Sequence, residues 1–254
     1  MAQPLPKRPR VALLIESSRA YGRGLLAGIA AYVRTHRPWS IYHQERTMAD
    51  AAPRWLSDFD GDGIIARLES KKLVEQIQAL DLPTVDLRGL HDLPGVPLIE
   101  TDDRAVVRRA VEHFTERGFE HLAFCGFAGA NYSQRRLRYF NQQLKQLGYT
   151  PHVYEGSADM RFGDTAAIEA RGLLHEDEIA RWIDALPKPV GLIACNDVRG
   201  QQALSACRTL GVAVPDEVAV LGVDDDAVIC DLCDPPLSSV APNTEKIGHA
   251  AAAL

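Results

Sequence analysis

Short apolar runs alternate with amphipathic helical stretches along the whole chain, and this alternation constrains the fold more than any other feature. The run Val11-Ala12-Leu13-Leu14-Ile15 is apolar throughout, which suits a strand covered on both faces. Residues 21–33 then place Leu25, Leu26, Ile29 and Val33 on one helical face. Further strands are expected at 39–42, 63–66, 84–87 and 98–100, with helices at 68–80 and 103–117. The pattern restarts with strands at 121–125, 153–154, 190–194 and 218–223 and helices at 134–147, 176–186 and 198–210. Gly118, Gly148 and Gly211 stand where helices would stop. A short strand at 237–240 and a helix from Glu245 complete the chain.

Strands alternating with helices imply mostly parallel sheets with helices on both faces, so the expected class is α/β with two Rossmann-like three-layer lobes. The lobes are expected at 8–118 plus 238–254 and at 119–237. Open parallel sheets bind ligands at the carboxyl ends of their strands. In the first lobe those positions hold Glu16, Ser17, Ser18, Arg67, Arg88 and Asp102. In the second they hold Gly126, Phe127, Asn196, Asp197, Asp224 and Asp225. This polar set of mixed charge suits a small hydroxyl-rich molecule better than a strongly charged one.

Charge narrows the function classes. Lys plus Arg is 28 and Asp plus Glu is 34, a net charge of −6. A chain that grips nucleic acid is usually basic, because neutralised phosphates supply most of the affinity. No apolar run approaches the ~18 residues of a membrane span. The basic start at Lys7-Arg8-Pro9-Arg10 mimics a signal peptide, but Glu16 ends the apolar run short of the ~7–15 residues an export signal needs. A cytoplasmic location is therefore expected. Five cysteines, an odd number in a long chain, do not suggest a disulfide framework.

Several motifs could carry chemistry. Gly22-x-Gly24-x-x-x-Gly28 is loosely spaced like a dinucleotide fingerprint, but Glu16 to Tyr21 separate it from the strand where a fingerprint allows almost nothing. Its bland alternative is that Gly28 permits close helix packing. No phosphate loop and no Gly-x-Ser-x-Gly elbow occurs. Cys230-x-x-Cys233 lies among acidic residues, which raise thiol pKa values, and before two prolines, so a structural role is expected rather than a redox or metal site. Asp224-Asp225-Asp226 could hold a cation with Asp102 or Asp197, or could cap and face water. Asn196-Asp197 could equally N-cap the helix that follows.

The segment Ile193-Ala194-Cys195-Asn196-Asp197 leads to Ala203-Leu204 and Leu210-Gly211-Val212. Val214-Pro215-Asp216-Glu217-Val218 through Val223-Asp224-Asp225 follows, then Asp234-Pro235-Pro236-Leu237-Ser238-Ser239-Val240. This ordered run resembles the effector-binding domain of LacI-type transcription regulators, which share the type I periplasmic-binding-protein-like fold. His113, Gly118, the segment His121-Leu122-Ala123-Phe124-Cys125-Gly126 and Arg136 fit it too. LacI-type regulators carry a DNA-binding helical motif before the first strand. Here Pro4, Pro6 and Pro9 make the few residues before Val11 a poor helix. The stretch Ser18-Arg19-Ala20-Tyr21-Gly22-Arg23, with Gly28 and Tyr32, is instead similar to the xylose-operon regulator family, which joins this sensor fold to a C-terminal AraC-type DNA-binding domain.

The resemblance implies a sensor of a small sugar, xylose or another pentose, held between two lobes. It implies Arg136, Asp197, Asp224 and Asn196 as ligand-binding groups, with Asp102 from the first lobe and Tyr21 or Phe127 against the ring. Core packing is the alternative for both aromatics. It also implies no catalysis, no cofactor, no metal and no membrane. A homodimer is expected, with operator DNA contacted through a domain beyond Leu254. The chain ends inside an apparent helix, as a truncated chain would. The competing class is an NAD(P)-dependent enzyme, which needs a tight cofactor fingerprint and an acid–base pair.

Overall fold

The structure, a computed structural model, describes residues 8–156 and 165–254. Pro4 and Pro6, expected to disfavour an N-terminal helix, lie outside the described residues. In chain order the first elements are β1 (Arg10–Leu14), α1 (Ala20–Thr35), β2 (Ser40–His43), β3 (Gly63–Ala66), α2 (Lys71–Gln78) and β4 (Thr84–Asp86). Next come α3 (Asp103–Thr115), β5 (His121–Cys125), α4 (Asn131–Leu147), β6 (Pro151–Tyr154), α5 (Thr165–Arg171) and α6 (Glu176–Asp184). The chain continues with β7 (Val190–Ala194), α7 (Asp197–Leu210), β8 (Val218–Val223), α8 (Ala227–Leu232), β9 (Ser238–Val240) and α9 (Thr244–Ala252). The chain divides into two units, one running to Thr101 and resuming at Asn243–Leu254, the other spanning Asp102–Pro242.

The first unit holds a parallel sheet in the order β2-β1-β3-β4. Period-two alternation sends β1 side chains to both faces. Val11 and Leu13 join Leu25 and Ile29 of α1 and Ile247 of α9. Ala12 and Leu14 join Leu73, Val74 and Ile77 of α2 on the other face. The glycine motif finds its role here. A Cβ on Gly28 would lie 2.0 Å from the Glu245 carbonyl oxygen, and one on Gly248 would lie 2.0 Å from the Leu25 carbonyl oxygen. Those glycines let α1 and α9 meet backbone to backbone, so the motif serves helix packing. Residues 98–100, expected as a strand, give only an isolated bridge from Leu98 to Asp86.

The second unit holds a parallel sheet in the order β6-β5-β7-β8-β9. Ala123, Cys125, Leu192 and Ala194 face α6 and α7, whereas Leu122, Phe124, Ile193 and Cys195 face α3 and α4. Helices stop at Gly148 and Gly211 with φ of +79° and +70°, where a side chain would be strained.

Two elements depart from the expected lobe boundaries. α3, expected in the first lobe, buries Val107, Ala110, Val111 and Phe114 against Leu122, Phe124 and Phe140 of the second unit. Gly191 of β7 leaves room for the Phe114 ring, which a Cβ would approach to 2.5 Å. β9, also expected in the first lobe, pairs in parallel with β8 from Leu221–Ser238 to Val223–Val240. An amphipathic helix or a short strand shows an apolar face in sequence, not which sheet will receive it. Among the described residues no helix is long and apolar enough to cross a membrane.

Candidate functional site

At the carboxyl end of β1 in the first unit, Glu16 is buried and ion-paired with Arg67. Arg67 Nη2 also lies 3.3 Å from Glu69 Oε1, and Arg88 Nε donates to Glu69 Oε2 at 3.0 Å. Burial alone would raise the Glu69 carboxyl, but the positive field of Arg67 and Arg88 outweighs it and holds the pKa below the usual range. The Asp86 carboxylate at the end of β4 accepts from the backbone N–H of Arg88 at 2.9 Å and of Gly89 at 3.0 Å, which fixes where Arg88 leaves the strand. Tyr21 on α1 lies under the Arg67 guanidinium, 4.9 Å from ring centroid to Cζ, and its hydroxyl is 2.9 Å from Thr101 Oγ1.

Arg46 adds a third guanidinium. The loop after β2 holds it by Ser17 N–H donating to the Arg46 carbonyl at 3.0 Å, and Arg46 Nη2 donates to the Asp50 carbonyl at 2.8 Å. Burial lowers the Arg46 pKa, with Asp50, Glu16 and Glu69 opposing that shift. Gly22 is required at the start of α1, since a Cβ there would fall 1.9 Å from the Glu16 carbonyl oxygen. The first unit thus sets Arg46, Arg67 and Arg88 among Glu16, Glu69 and Asp86 at its strand ends.

The second unit builds a tighter cluster. Arg136 on α4 donates through Nε to Asp103 Oδ1 at 2.8 Å and through Nη1 to the Cys195 carbonyl at the end of β7. Its Nη2 lies 3.7 Å from Asp224 Oδ1. Arg135 Nε takes the other Asp103 oxygen at 2.8 Å. Burial disfavours the Arg136 charge, yet Asp103 and Asp224 outweigh it and raise the pKa, so this guanidinium stays charged. Its Cζ sits 5.3 Å from the Tyr132 ring centroid. The Tyr132 hydroxyl donates to Glu169 Oε1 at 2.8 Å, and burial followed by the Glu169 charge pushes its pKa well above normal.

Asn196 is the N-cap of α7, its Oδ1 accepting from the Arg199 N–H at 3.0 Å. Its Nδ2 donates to Glu169 Oε1 at 2.9 Å. The Asp197 carboxylate accepts from Ser239 Oγ at 2.6 Å and from the Asp226 N–H at 2.8 Å, tying α7 to β9 and to the loop after β8. Burial pushes the Asp197 pKa up to about 6, although those two hydrogen bonds pull it down. Asp224 and Asp225 adopt φ of +113° and +54°, a region L-residues rarely enter. Such strain fits a loop whose side-chain direction matters.

Arg136, Asn196, Asp197 and Asp224 therefore come together at the strand ends of the second unit, each bonded within it. Asp102 does not join them. It belongs to the second unit, N-caps α3 by accepting from the Ala105 N–H at 2.9 Å, and lines a groove of about 390 Å³ with Arg104, Arg108 and Tyr139. Tyr21 stands in the first unit beside Arg67, while Phe127 is fully buried and serves the core. Cys230 and Cys233 are buried free thiols, and burial with Asp197 nearby pushes Cys230 up to about 12. Among the described residues no group of three or more His, Cys, Asp or Glu side chains could hold a metal ion.

Sequence reasoning missed Asp103, Tyr132 and Glu169. Asp103 follows directly on Asp102, and the Arg135-Arg136 pair opposite is its available signal. Glu169 gave none, because its partners lie far away in sequence.

A family model described as a periplasmic binding protein-like domain matches residues 111–254, and one described as the XylR N-terminal domain matches residues 10–104. The "Xylose operon regulatory protein" of Escherichia coli K12 is 31% identical over 258 residues, covering 98% of this chain and 63% of that protein. Its namesake in Haemophilus influenzae is 30% identical over 254 residues, covering 96% and 63%. The chain spans about 63% of the length of these curated relatives. A solved "structure of xylose-binding transcription activator xylR" superposes with a TM-score of 0.81 at 29% identity, covering 98% of this chain and 62% of that one. A LacI family transcriptional regulator from Mycobacterium smegmatis gives a TM-score of 0.71 at 20% identity, covering 96% and 88%, a likeness of fold.

Proposed function

The chain belongs to the periplasmic binding protein-like family, and from that premise we propose that it is the sugar-sensing part of a transcription regulator, with D-xylose or another pentose as effector. Its relatives over nearly the whole chain are transcription regulators, and the reading takes this chain as a sensor rather than an enzyme. The observation that carries it is the matched placement of guanidinium and carboxylate groups at the carboxyl ends of the parallel strands. Glu16, Arg67, Glu69 and Arg88 lie there in one unit and Arg136, Asp103, Asp224 and Glu169 in the other. Charged groups bond hydroxyls more strongly than neutral ones do. A buried charged group also penalises a ligand that lacks the matching hydroxyl.

The finer reading is that a pentose engages groups of both units, and so favours whichever arrangement of the units offers both sets at once. That preference would pass to a DNA-binding domain in the remainder of a longer protein, within a homodimer located in the cytoplasm. Arg136, Asn196, Asp197 and Asp224, with Tyr21 and Asp102, remain the proposed ligand-side groups, Asp102 being engaged as the N-cap of α3. A thermal-shift screen over pentoses, hexoses and nucleotides tests the reading, because a ligand that binds only the folded state raises its melting point. A rise with D-xylose that exceeds the rise with hexoses supports it. A rise with NAD and none with any pentose contradicts it.

A further inference from the structure

We infer that Arg199 is a positioning residue, which orients the Gln202 amide and through it fixes Glu169 at the strand ends of the second unit. The inference rests on the sugar-sensing reading above. Arg199 lies on α7 and is fully buried, its guanidinium carbon 3.8 Å from the centroid of the Phe127 ring. Nη1 donates to Gln202 Oε1 at 2.8 Å. Nε and Nη2 are buried without a hydrogen-bond partner among the described residues, and no carboxylate pairs with this cation there. A buried charge with no counter-charge destabilises a fold, and an apolar side chain of similar volume would be more stable in its place. Packing therefore does not account for an arginine at this position.

Polarity accounts for it. A guanidinium can only donate hydrogen bonds, so it forces Gln202 to present its oxygen and to point its nitrogen the other way. Gln202 Nε2 accordingly donates to the Glu169 carbonyl on α5 at 3.2 Å. The Glu169 side chain is held separately, its Oε1 accepting from Tyr132 and Asn196. Asn196 in turn accepts from the Arg199 backbone N–H. The bonds form a ring from the Arg199 side chain through Gln202, Glu169 and Asn196 back to the Arg199 backbone. The turn after α5 packs straight onto it, since a Cβ on Gly172 would lie 2.6 Å from Gln202 Oε1 and 2.9 Å from the Phe127 ring. Without the arginine the Gln202 amide could rotate, and α5 would lose the donor that sets the height of Glu169 beside Tyr132 and Asn196.

Two variants test this, each measured by thermal melting without ligand and by calorimetric titration with D-xylose. Arg199→Met removes the buried charge and leaves the amide free to rotate. Gln202→Glu gives the guanidinium a carboxylate partner and deletes the donor to the Glu169 carbonyl. Both variants are expected to melt at or above the wild-type temperature and to bind D-xylose about tenfold more weakly, the loss of roughly one hydrogen bond. Gain of stability with loss of affinity is the signature that a merely structural role would not give. Xylose affinity within about twofold of wild type in either variant, or melting below wild type, overturns the assignment. The wild-type titration separates the two claims. If the wild type takes up no pentose, the sugar reading fails, and the melting of Gln202→Glu still decides whether the buried cation lacks a partner.

Discussion

In the first unit Arg67 and Glu69 keep 10% and 14% of their side-chain surface exposed, whereas Arg136 and Asp103 in the second keep 4% and 3%. Both clusters rest on the same strand topology, since β2-β1-β3-β4 and β6-β5-β7-β8 follow one order. The second sheet alone adds β9, whose Ser239 hydroxyl fastens Asp197. The units are thus similar scaffolds with different margins. In the second unit the strand-end groups bind mainly one another and the backbone, which preorganises them. In the first, Arg67 and Arg88 share Glu69, and Arg67 keeps more of its surface exposed than Arg136, although Arg88 is as buried as Arg136.

The largest effect expected from this contrast is on Arg136. Arg136→Met leaves Asp103 with Arg135 alone and the Cys195 carbonyl without its donor, and should cost about 3–5 kcal/mol of unfolding free energy, read by urea denaturation. Arg67→Met takes the ion-pair partner from the buried Glu16, yet should cost less stability, about 1–3 kcal/mol, because Arg46 still attracts Glu16 and Arg88 still neutralises Glu69. It should nevertheless weaken xylose binding about tenfold or more. Equal stability losses in the two variants would break the contrast between the units.

A third prediction concerns how the first unit is held together. Gly28→Ala places a methyl group against the Glu245 carbonyl, and neither backbone can yield cheaply. A loss of about 1–3 kcal/mol is expected, visible as a lower melting temperature. Unchanged melting would mean that α1 and α9 can separate without penalty.

A fourth prediction is a pH dependence located in the second unit. Asp197 has a folded pKa of about 6 against an ordinary 3.8. The folded state therefore holds its proton more tightly than the unfolded chain does. Its contribution to stability is fully present below about pH 4 and is lost as pH rises through 6, an effect of about 3 kcal/mol. Asp197→Asn should flatten that part of the stability profile measured between pH 4 and pH 7, and an unchanged slope would place the titration elsewhere.

What sequence revealed follows from how local each cause is. The five-residue apolar run of β1, the glycine stops at Gly148 and Gly211, and the capping Asn196 depend on neighbours in the chain, and each could be read there. The fold class and the family resemblance followed, and the structure and the relatives bear them out. The lobe that receives α3 or β9 depends on partners far away in sequence, Phe140 on α4 for the one and Leu221 on β8 for the other. Strand-end position points to Asp102, and only helical geometry turns its carboxylate to cap α3 and that of its neighbour Asp103 to Arg135 and Arg136. Glu169 and Arg199 carried no local signal, since their roles exist only in a ring of hydrogen bonds between α5 and α7.

The most direct test of the sensor reading is a calorimetric titration of the purified chain with D-xylose, with L-arabinose, D-ribose and NAD run in parallel. The predicted result is saturable binding of one xylose per chain, strongest among these ligands and weakened by Arg67→Met. Absence of heat with every pentose, together with tight binding of NAD, would contradict it.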